Sequence, residues 1–185
     1  MKMNNQRYSN GAMALLFLVA AVLACSSSDE TAKANKLVDE GNAAVQEAKK
    51  FVTEAEEKKQ KMLQTKVSKL EEARATAKES IAAYDKAKEK CKEASKKYEE
   101  ASKLKIKDKF KEYLALKVKE YDKRAELVET AKGTPQALID SKNRMGFIKM
   151  ANANKERVDR LTKEADDLAA QADKLQKDNP DLFKA

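Results

Sequence analysis

The side chains that most often carry out catalysis or bind metals are scarce in this sequence. It has no histidine, the commonest general base and metal ligand, and its two cysteines are Cys25 and Cys91. The remaining candidates for acid–base or metal chemistry are adjacent carboxylates: Glu56-Glu57, Glu71-Glu72, Glu99-Glu100 and Asp166-Asp167. Neighbours on a helix point about 100° apart, so such a pair does not converge on one ion. Interleaved lysines favour a solvated, ion-paired face instead.

No Gly-rich phosphate loop, zinc-ligand spacing, nucleophile elbow or catalytic triad is found in the chain. The sequence therefore predicts no catalytic residue, no metal and no cofactor, and it argues against an enzyme.

The segment before Cys25 has the three parts of a secretory signal peptide. Lys2 and Arg7 come first, no acidic residue precedes Cys25, and residues 12–24 form an apolar run that ends in Ala24. As a helix this run of about 13 residues would rise only ~20 Å, less than a hydrocarbon core of ~30 Å. A plain secreted protein, with a cysteine at this point by chance, is the alternative.

The run Val22-Leu23-Ala24-Cys25 resembles the lipobox of bacterial lipoproteins, with Val22 in place of the usual leucine. The resemblance implies cleavage between Ala24 and Cys25, a diacylglycerol on the Cys25 sulfur and acylation of the new amino group. Two or more acyl chains hold a protein firmly on a membrane. Ser26, rather than aspartate, follows the cysteine. This resembles the pattern sorted to the outer membrane and implies a protein on that membrane, facing the periplasm.

The composition after this segment indicates long helices. Charged residues make up 38% of the chain, aromatic residues 5%, and there are only four glycines and two prolines. We predict an all-α fold, an elongated antiparallel bundle of three to four long, coiled-coil-like helices. The predicted division is a cleaved signal peptide (1–24), a lipidated flexible spacer (25–32), a helical bundle (33–179) and a C-terminal tail (180–185).

Mostly apolar residues recur about every three or four positions along four segments, the period of a bundle seam, with Lys117 and Asn154 as polar members. They are Leu37, Gly41, Ala44, Ala48, Phe51 and Ala55; Leu63, Val67, Leu70, Ala73, Ala77, Ile81, Tyr84, Ala87, Cys91, Ala94, Tyr98 and Ala101; Phe110, Tyr113, Leu114, Lys117, Tyr121, Ala125 and Val128; and Phe147, Ala151, Asn154, Val158, Leu161, Ala165, Leu168, Ala172 and Leu175. Gly41 is either a weak point or a close helix approach. Cys91 either fills the seam or joins a second chain by a disulfide. The seams are compatible with pairing within one chain or in a homo-oligomer.

The breaks between these segments are marked unequally. We expect a turn at 64–66, because Ser68-Lys69-Leu70-Glu71 has capping-box spacing. Leu104 to Lys107 alternates briefly like a strand; Asp108 then either caps a new helix or lies within a continuous one. The clearest break is 132–135, where Gly133 suits a C-cap, Thr134 an N-cap and Pro135 a first turn. The polar stretch through Asn143 and Gly146 predicts a kink.

Lysine is concentrated between Lys86 and Lys119. This region has 13 lysines and six acidic residues, a surplus of seven, within a chain of formal net charge +8. It suits an anionic partner such as lipid head groups, lipopolysaccharide, acidic wall polymer or an acidic protein. Nucleic acid is a poor candidate because a signal peptide takes the chain out of the cytoplasm. The alternative is an unselective, solvated lysine face.

These observations predict a membrane-anchored lipoprotein with a structural or binding role in the cell envelope. One alternative is a helical chaperone or carrier in the periplasm. Another is a peptidoglycan-associated spacer, since the chain is similar in plan to the murein lipoprotein: a lipidated cysteine, serines, then heptads. In that protein a final lysine joins the wall, whereas Lys184 here is penultimate.

Overall fold

The computed structural model describes the backbone of residues 9–184 and the side chains of residues 29–184 apart from Val67. Within that range the chain forms helices and no strand: α1 (Ser9–Gln64), a 3-10 turn (Val67–Lys69), α2 (Leu70–Ser102), α3 (Asp108–Ala131), α4 (Gly133–Asp140) and α5 (Arg144–Asp178). The predicted helical fold class is therefore confirmed for the described residues.

The long helices α1, α2, α3 and α5 pack in chain order, each antiparallel to the one before it. The part of α1 from Asp29 to Gln64 is about 54 Å long and α5, with 35 residues, about 52 Å. The short helix α4 packs on α2 and α5 at the end of the bundle where α1 stops, which we call the distal end. The predicted elongated antiparallel bundle is confirmed, with four long helices.

Small residues line the core shared by α1 and α2, where four alanines of each helix are buried in one cluster: Ala34, Ala44, Ala48 and Ala55, and Ala83, Ala87, Ala94 and Ala101. Gly41 shows how close the approach is: a Cβ built there would lie 2.9 Å from Cε1 of Tyr98. The Tyr98 ring is fully buried, and its hydroxyl donates a hydrogen bond to Asn42 Oδ1 over 2.8 Å. Of the two roles predicted for Gly41, the structure has the close approach.

The first turn lies where the sequence predicts it, but its capping box does not form. Helix α1 ends at Gln64, and the 3-10 turn places Lys69, without a side-chain capping bond, at the N-cap of α2. Ser68 belongs to the 3-10 turn and precedes the N-cap. The predicted second seam is also too long: Leu63 is 47% exposed and Leu70 40% exposed, because the turn separates them from the face that begins at Ala73.

Helices α2 and α3 are separate helices. Asp108 is the first residue of α3, and Lys107 occupies the N-cap position without a side-chain capping bond. Of the two arrangements predicted here a new helix forms, but Asp108 acts in its first turn rather than as its cap. The strand-like stretch 104–107 is a connecting loop that turns Ile106 into the core.

The break after α3 depends on a contact with α5 rather than on capping. Gly133 begins α4, and a Cβ there would lie 2.3 Å from Oδ1 of Asn154. Asn154 Nδ2 donates to the Thr134 hydroxyl over 3.1 Å. The break itself is confirmed, whereas the caps predicted for Gly133 and Thr134 are wrong. Gly133 instead allows the close approach of Asn154, and Thr134 accepts a side-chain hydrogen bond from it. At the predicted kink a new helix starts, because Asn143 caps α5 by accepting from the Gly146 N–H over 2.8 Å.

The C-terminal residues 180–184 fold back onto the end of the bundle opposite α4, which we call the proximal end. Leu182 is 2% exposed, and the Phe183 ring lies edge-on to Phe110 and Tyr113 at centroid distances of 4.9 and 5.4 Å. Asn35 Nδ2 donates to the Phe183 carbonyl over 2.9 Å. This tail therefore joins α1 to α3 at the proximal end.

Candidate functional site

The predicted lipidation site lies on the N-terminal part of α1. The backbone of α1 is helical through Ala24, Cys25 and the predicted spacer 25–32. The side chains of Ala24 and Cys25 lie outside those that the structure describes, so cleavage and acylation stay predictions. Among the residues that the structure describes, no helix is both long and apolar enough to cross a membrane.

Three lysines of the Lys86–Lys119 region, Lys88, Lys90 and Lys97, pair with carboxylates of neighbouring helices, and others pair within their own helix. Lys97 contacts Glu40 over 2.6 Å and Lys90 contacts Glu47 over 2.8 Å, which tie α2 to α1. Hydrogen bonds from these lysines lower the pKa of both carboxyl groups. Among the described residues, five lysines of the region have neither an ion pair nor a hydrogen bond from their ammonium groups: Lys86, Lys92, Lys105, Lys111 and Lys119. The lysine surplus is thus partly neutralised within the bundle.

The adjacent carboxylates are separate ion-pair partners. Glu71 contacts Arg74 over 2.9 Å, whereas Glu72 contacts Lys69 over 3.0 Å. Asp166 contacts Arg124 over 3.3 Å. No group of three or more metal-ligating side chains is found in the described part of the chain. The ion-paired face that the sequence favours is confirmed for six of the eight carboxylates, whereas Glu57 and Asp167 have no ion pair among the described residues.

Cys91 lies in the apolar seam between the long helices. Its side chain is 3% exposed and its thiol is free. Burial raises the pKa of the thiol to about 11. Of the two roles predicted for this cysteine, the structure has the seam residue, since the sulfur is not available at the surface to a second chain.

Glu120 is the residue that sequence reasoning missed. It is 2% exposed, and its carboxylate accepts from Lys117 Nζ over 2.6 Å and from Arg124 Nε over 2.8 Å. The three residues lie one turn apart along α3, and this spacing of lysine, glutamate and arginine was the available signal. Asp166, which contacts Arg124 over 3.3 Å, offsets the second cation, so the four side chains together are neutral.

Aromatic rings surround this charged cluster. Lys117 Nζ lies 5.0 Å from the centroid of the Tyr121 ring, and the Arg124 guanidinium lies 6.0 Å from the same ring. Tyr98 and Tyr121 are 5.6 Å apart. Burial, and then the charge of Glu120, raise the pKa of Tyr121. The rings cover part of both cations, while Lys117 stays 13% and Arg124 31% exposed.

The charged cluster lies in the floor of a cleft. Because α1 does not pack closely against α3 or α5 in the described residues, a space of about 680 Å³ remains between them. The α1 wall consists of Val45, Ala48 and Val52; Tyr84, Cys91, Tyr121 and Val128 form the floor; Val158 and Ala169 line the α5 wall. Exposed Lys49 and Asp173 mark the open side.

The tail and α4 lie at opposite ends of the bundle. At the proximal end Asn35 on α1 donates to the Phe183 carbonyl, and at the distal end α4 contacts α1 and α2. The arrangement is a partly apolar slot whose charged lining groups balance: Lys49, Lys117 and Arg124 against Glu56, Glu120 and Asp173. Such a cleft is a candidate binding site.

Comparisons of this chain with protein-family models, with curated proteins and with solved structures found no match.

Proposed function

We propose that this protein is a lipid-anchored lipoprotein of the bacterial cell envelope, with a non-enzymatic binding role carried by its helical bundle. The observation that carries the proposal is the segment that ends in Val22-Leu23-Ala24-Cys25: a positive start, a short apolar run, a small residue and a cysteine. The proposed modifications are removal of residues 1–24, a diacylglycerol on the Cys25 sulfur and an acyl group on its nitrogen. Ser26 supports the outer membrane, on its periplasmic face.

The architecture of the bundle supports a role at a distance from the membrane. The chain leaves Cys25 along α1, whose part after Asp29 is about 54 Å long. The loop 103–107 and the tail lie at the proximal end near Asp29, since the Lys105 N–H donates to Glu30 over 3.5 Å. A protein tethered at Cys25 would therefore hold its distal end several tens of ångströms from the tether.

Metabolic labelling with an alkynyl fatty acid tests the anchor. The wild type should be labelled and Cys25→Ala should not. Cys91→Ala is the matched control, since it removes the other cysteine, and it should be labelled like the wild type. Equal labelling of Cys25→Ala and wild type would reject the proposal.

Separation of the two envelope membranes by density tests the location. The wild type should fractionate with the outer membrane. Ser26→Asp, which creates the retention pattern implied by the lipoprotein resemblance, should move the protein toward the inner membrane. A wild-type protein found with the inner membrane would contradict the proposed location.

A carrier role is the second candidate, and the cleft favours it over a wall spacer. A spacer requires only length, whereas the cleft provides a lined space of about 680 Å³ with buried charge. Homo-oligomer formation, an acidic protein or wall polymer, and a wall linkage through Lys184 stay predictions. Lysozyme digestion of sacculi followed by immunoblotting tests the wall linkage, which predicts protein released only after digestion.

A further inference from the structure

We propose that the distal end of the bundle docks on an anionic lipid surface. The docking surface, which we call the distal tip, comprises residues 61–72 around the turn between α1 and α2, and residues 139–150 from the end of α4 to the start of α5. The proposal goes beyond the acyl anchor and does not depend on it, because the tip lies at the opposite end of the bundle from Cys25.

Exposed apolar side chains are concentrated at this tip. Among the described residues, the five most exposed large hydrophobic side chains all lie within it: Leu63, Leu70, Met145, Ile148 and Met150. Met145 is the most exposed, at 75%. Single exposed hydrophobic residues are normal when they are scattered, whereas their concentration at one end of a molecule indicates a contact surface.

Helix α4 brings the two segments of the tip together. A small core beside the α1–α2 turn joins α1, α2 and α4, and it consists of Met62, Ala73, Ala77, Leu138 and Ile139. Met145 follows Ile139 by six residues, which span at most about 22 Å. On α5, Met145, Ile148 and Lys149 are spaced three and four positions apart and share one exposed face. The apolar side chains of both segments therefore belong to one end surface.

The tip also has a surplus of positive charge that the bundle does not neutralise. It contains six cations and three carboxylates. Each carboxylate already has a partner: Glu71 pairs with Arg74, Glu72 pairs with Lys69, and Asp140 accepts from Gln136. Five cations have neither an ion pair nor a hydrogen bond among the described residues: Lys61, Lys66, Lys142, Arg144 and Lys149. Extending both segments by one turn, to 57–76 and 135–154, adds three cations and one carboxylate, so the surplus does not depend on where the tip is drawn.

A role in folding does not explain the cations at the start of α5. The first turn of this helix contains no acidic residue, while Lys142 precedes it and Arg144 is its first residue. The N–H groups at a helix N-terminus carry partial positive charge, so cations placed there lower the stability of the helix. An anionic surface would be attracted both by these N–H groups and by the cations.

An anionic bilayer fits this surface better than a protein partner does. Cations and apolar side chains are interspersed along the chain, as where Lys66 and Lys69 lie between Leu63 and Leu70. Lysine is depleted from interfaces between proteins, whereas helices that lie in a membrane interface combine apolar side chains with lysine and arginine. A second copy of this chain fits poorly, because a symmetric contact would place the free cations of one tip against the same cations of the other.

Tryptophan fluorescence tests the docking, because the chain has no tryptophan of its own. Native lipidated Met145→Trp protein is held in zwitterionic nanodiscs, whose scaffold lacks tryptophan and whose lipids occupy the acyl anchor. It is then mixed with vesicles of phosphatidylglycerol and phosphatidylcholine. The emission should shift to shorter wavelength, because indole rings insert at a membrane interface. Gln171→Trp, exposed on the same helix about 39 Å away, is the matched control and should not shift.

A matched pair of charge variants in the Met145→Trp protein tests the position. Lys142→Gln with Lys149→Gln removes two free cations of the tip and should weaken vesicle binding roughly 25-fold, about fivefold for each charge. Lys92→Gln with Lys119→Gln removes two exposed, unpaired lysines of the Lys86–Lys119 region and should leave binding unchanged. All four side chains are exposed, so circular dichroism should show wild-type folding. Equal weakening by both pairs would refute the assignment to the tip.

Other results would overturn the proposal as a whole. Absence of a shift with anionic vesicles, or an equal shift with phosphatidylcholine alone, would show that the tip does not recognise anionic lipid. A shift that grows with protein concentration without vesicles would indicate a second copy at the tip, and an equal shift with polyglutamate would indicate an acidic protein. Failure of the anchor is seen separately: a chain without acyl groups would not enter the nanodiscs and would be added to the vesicles directly, with the same readout.

Discussion

The buried carboxylate of Glu120 makes a strong quantitative prediction. Its side chain is 3% exposed and receives hydrogen bonds from Lys117 at 2.6 Å and Arg124 at 2.8 Å. Glu120→Ala leaves both cations without this partner. Breaking a buried pair costs about 3–5 kcal/mol, and the lower end applies because Lys117 is 13% and Arg124 31% exposed, so water reaches them. We expect a loss of about 3 kcal/mol from a domain stability of about 5–15 kcal/mol.

Urea unfolding followed by circular dichroism measures this loss, and Glu112→Ala is the control. Glu112 lies on the same helix and contacts Lys109 over 2.7 Å, but their side chains are 54% and 60% exposed. Such a surface pair contributes at most about 1 kcal/mol. Both variants replace glutamate by alanine within α3, so the difference in helix propensity largely cancels.

Two outcomes would refute this reasoning. One is a Glu120→Ala variant no less stable than Glu112→Ala. The other concerns the triple variant Lys117→Met, Glu120→Leu, Arg124→Met, which removes all three charges and keeps similar volumes. It should retain the wild-type stability or exceed it by up to about 4 kcal/mol. A loss as large as that of Glu120→Ala would show that packing, rather than unpaired charge, explains the effect.

Further predictions concern Cys91, Tyr113, the α4 junction and the tail. Burial raises the pKa of the Cys91 thiol to about 11 from an ordinary value of 9.0. At about pH 8 its thiolate fraction should therefore be about a hundredfold lower than that of an ordinary thiol. Fast reaction of Cys91 in the folded protein with a disulfide reagent would contradict this. Burial raises the pKa of Tyr113 to about 12 in the folded protein, so its phenol ionises at a lower pH in the unfolded chain. The urea concentration at the midpoint of unfolding should therefore fall as the pH rises from about 10 to 12. A midpoint that stays constant over this range would oppose the prediction. Gly133→Ala should lower the free energy of unfolding by about 1–3 kcal/mol, because the added methyl group crowds Asn154. In an Asn154→Ala background the same substitution should be neutral or stabilising by up to about 1 kcal/mol. Equal effects in both backgrounds would disprove the crowding. Phe183→Ala should lower the free energy of unfolding by about 2 kcal/mol, less than the loss of a fully buried ring. It should also speed amide hydrogen exchange at the start of α1. Unchanged exchange there would show that the tail does not stabilise that end of α1.

The sequence was sufficient to predict the helices because their signal is local and repeated. Seams at 3.5-residue spacing mark which face of each segment is buried, and the final seam from Phe147 to Leu175 is buried or half-buried throughout. The turn at 64–66 and the break at 132–135 also lie where local chemistry indicates. Roles that require a partner from another helix were harder to predict: Gly133 depends on Asn154, which lies 21 residues later in the sequence.

The cleft was not predicted because no single segment contains it. It results from the way α1 packs on α2 while α3 and α5 continue away from it, and its walls come from residues such as Val52 and Val158, far apart in the chain. Glu120 was missed for a related reason: in a chain with 31 acidic residues, a lysine-glutamate-arginine spacing has the pattern of a surface ion pair. Only the tertiary packing around Tyr98 and Tyr121 makes it buried.

Intact-mass spectrometry of the protein purified from bacterial membranes tests the central claim most directly. The account predicts a chain that begins at Cys25 and carries the mass of a diacylglycerol and an amide-linked acyl group on that residue. A chain that begins at Met1 and carries no acyl mass would contradict it.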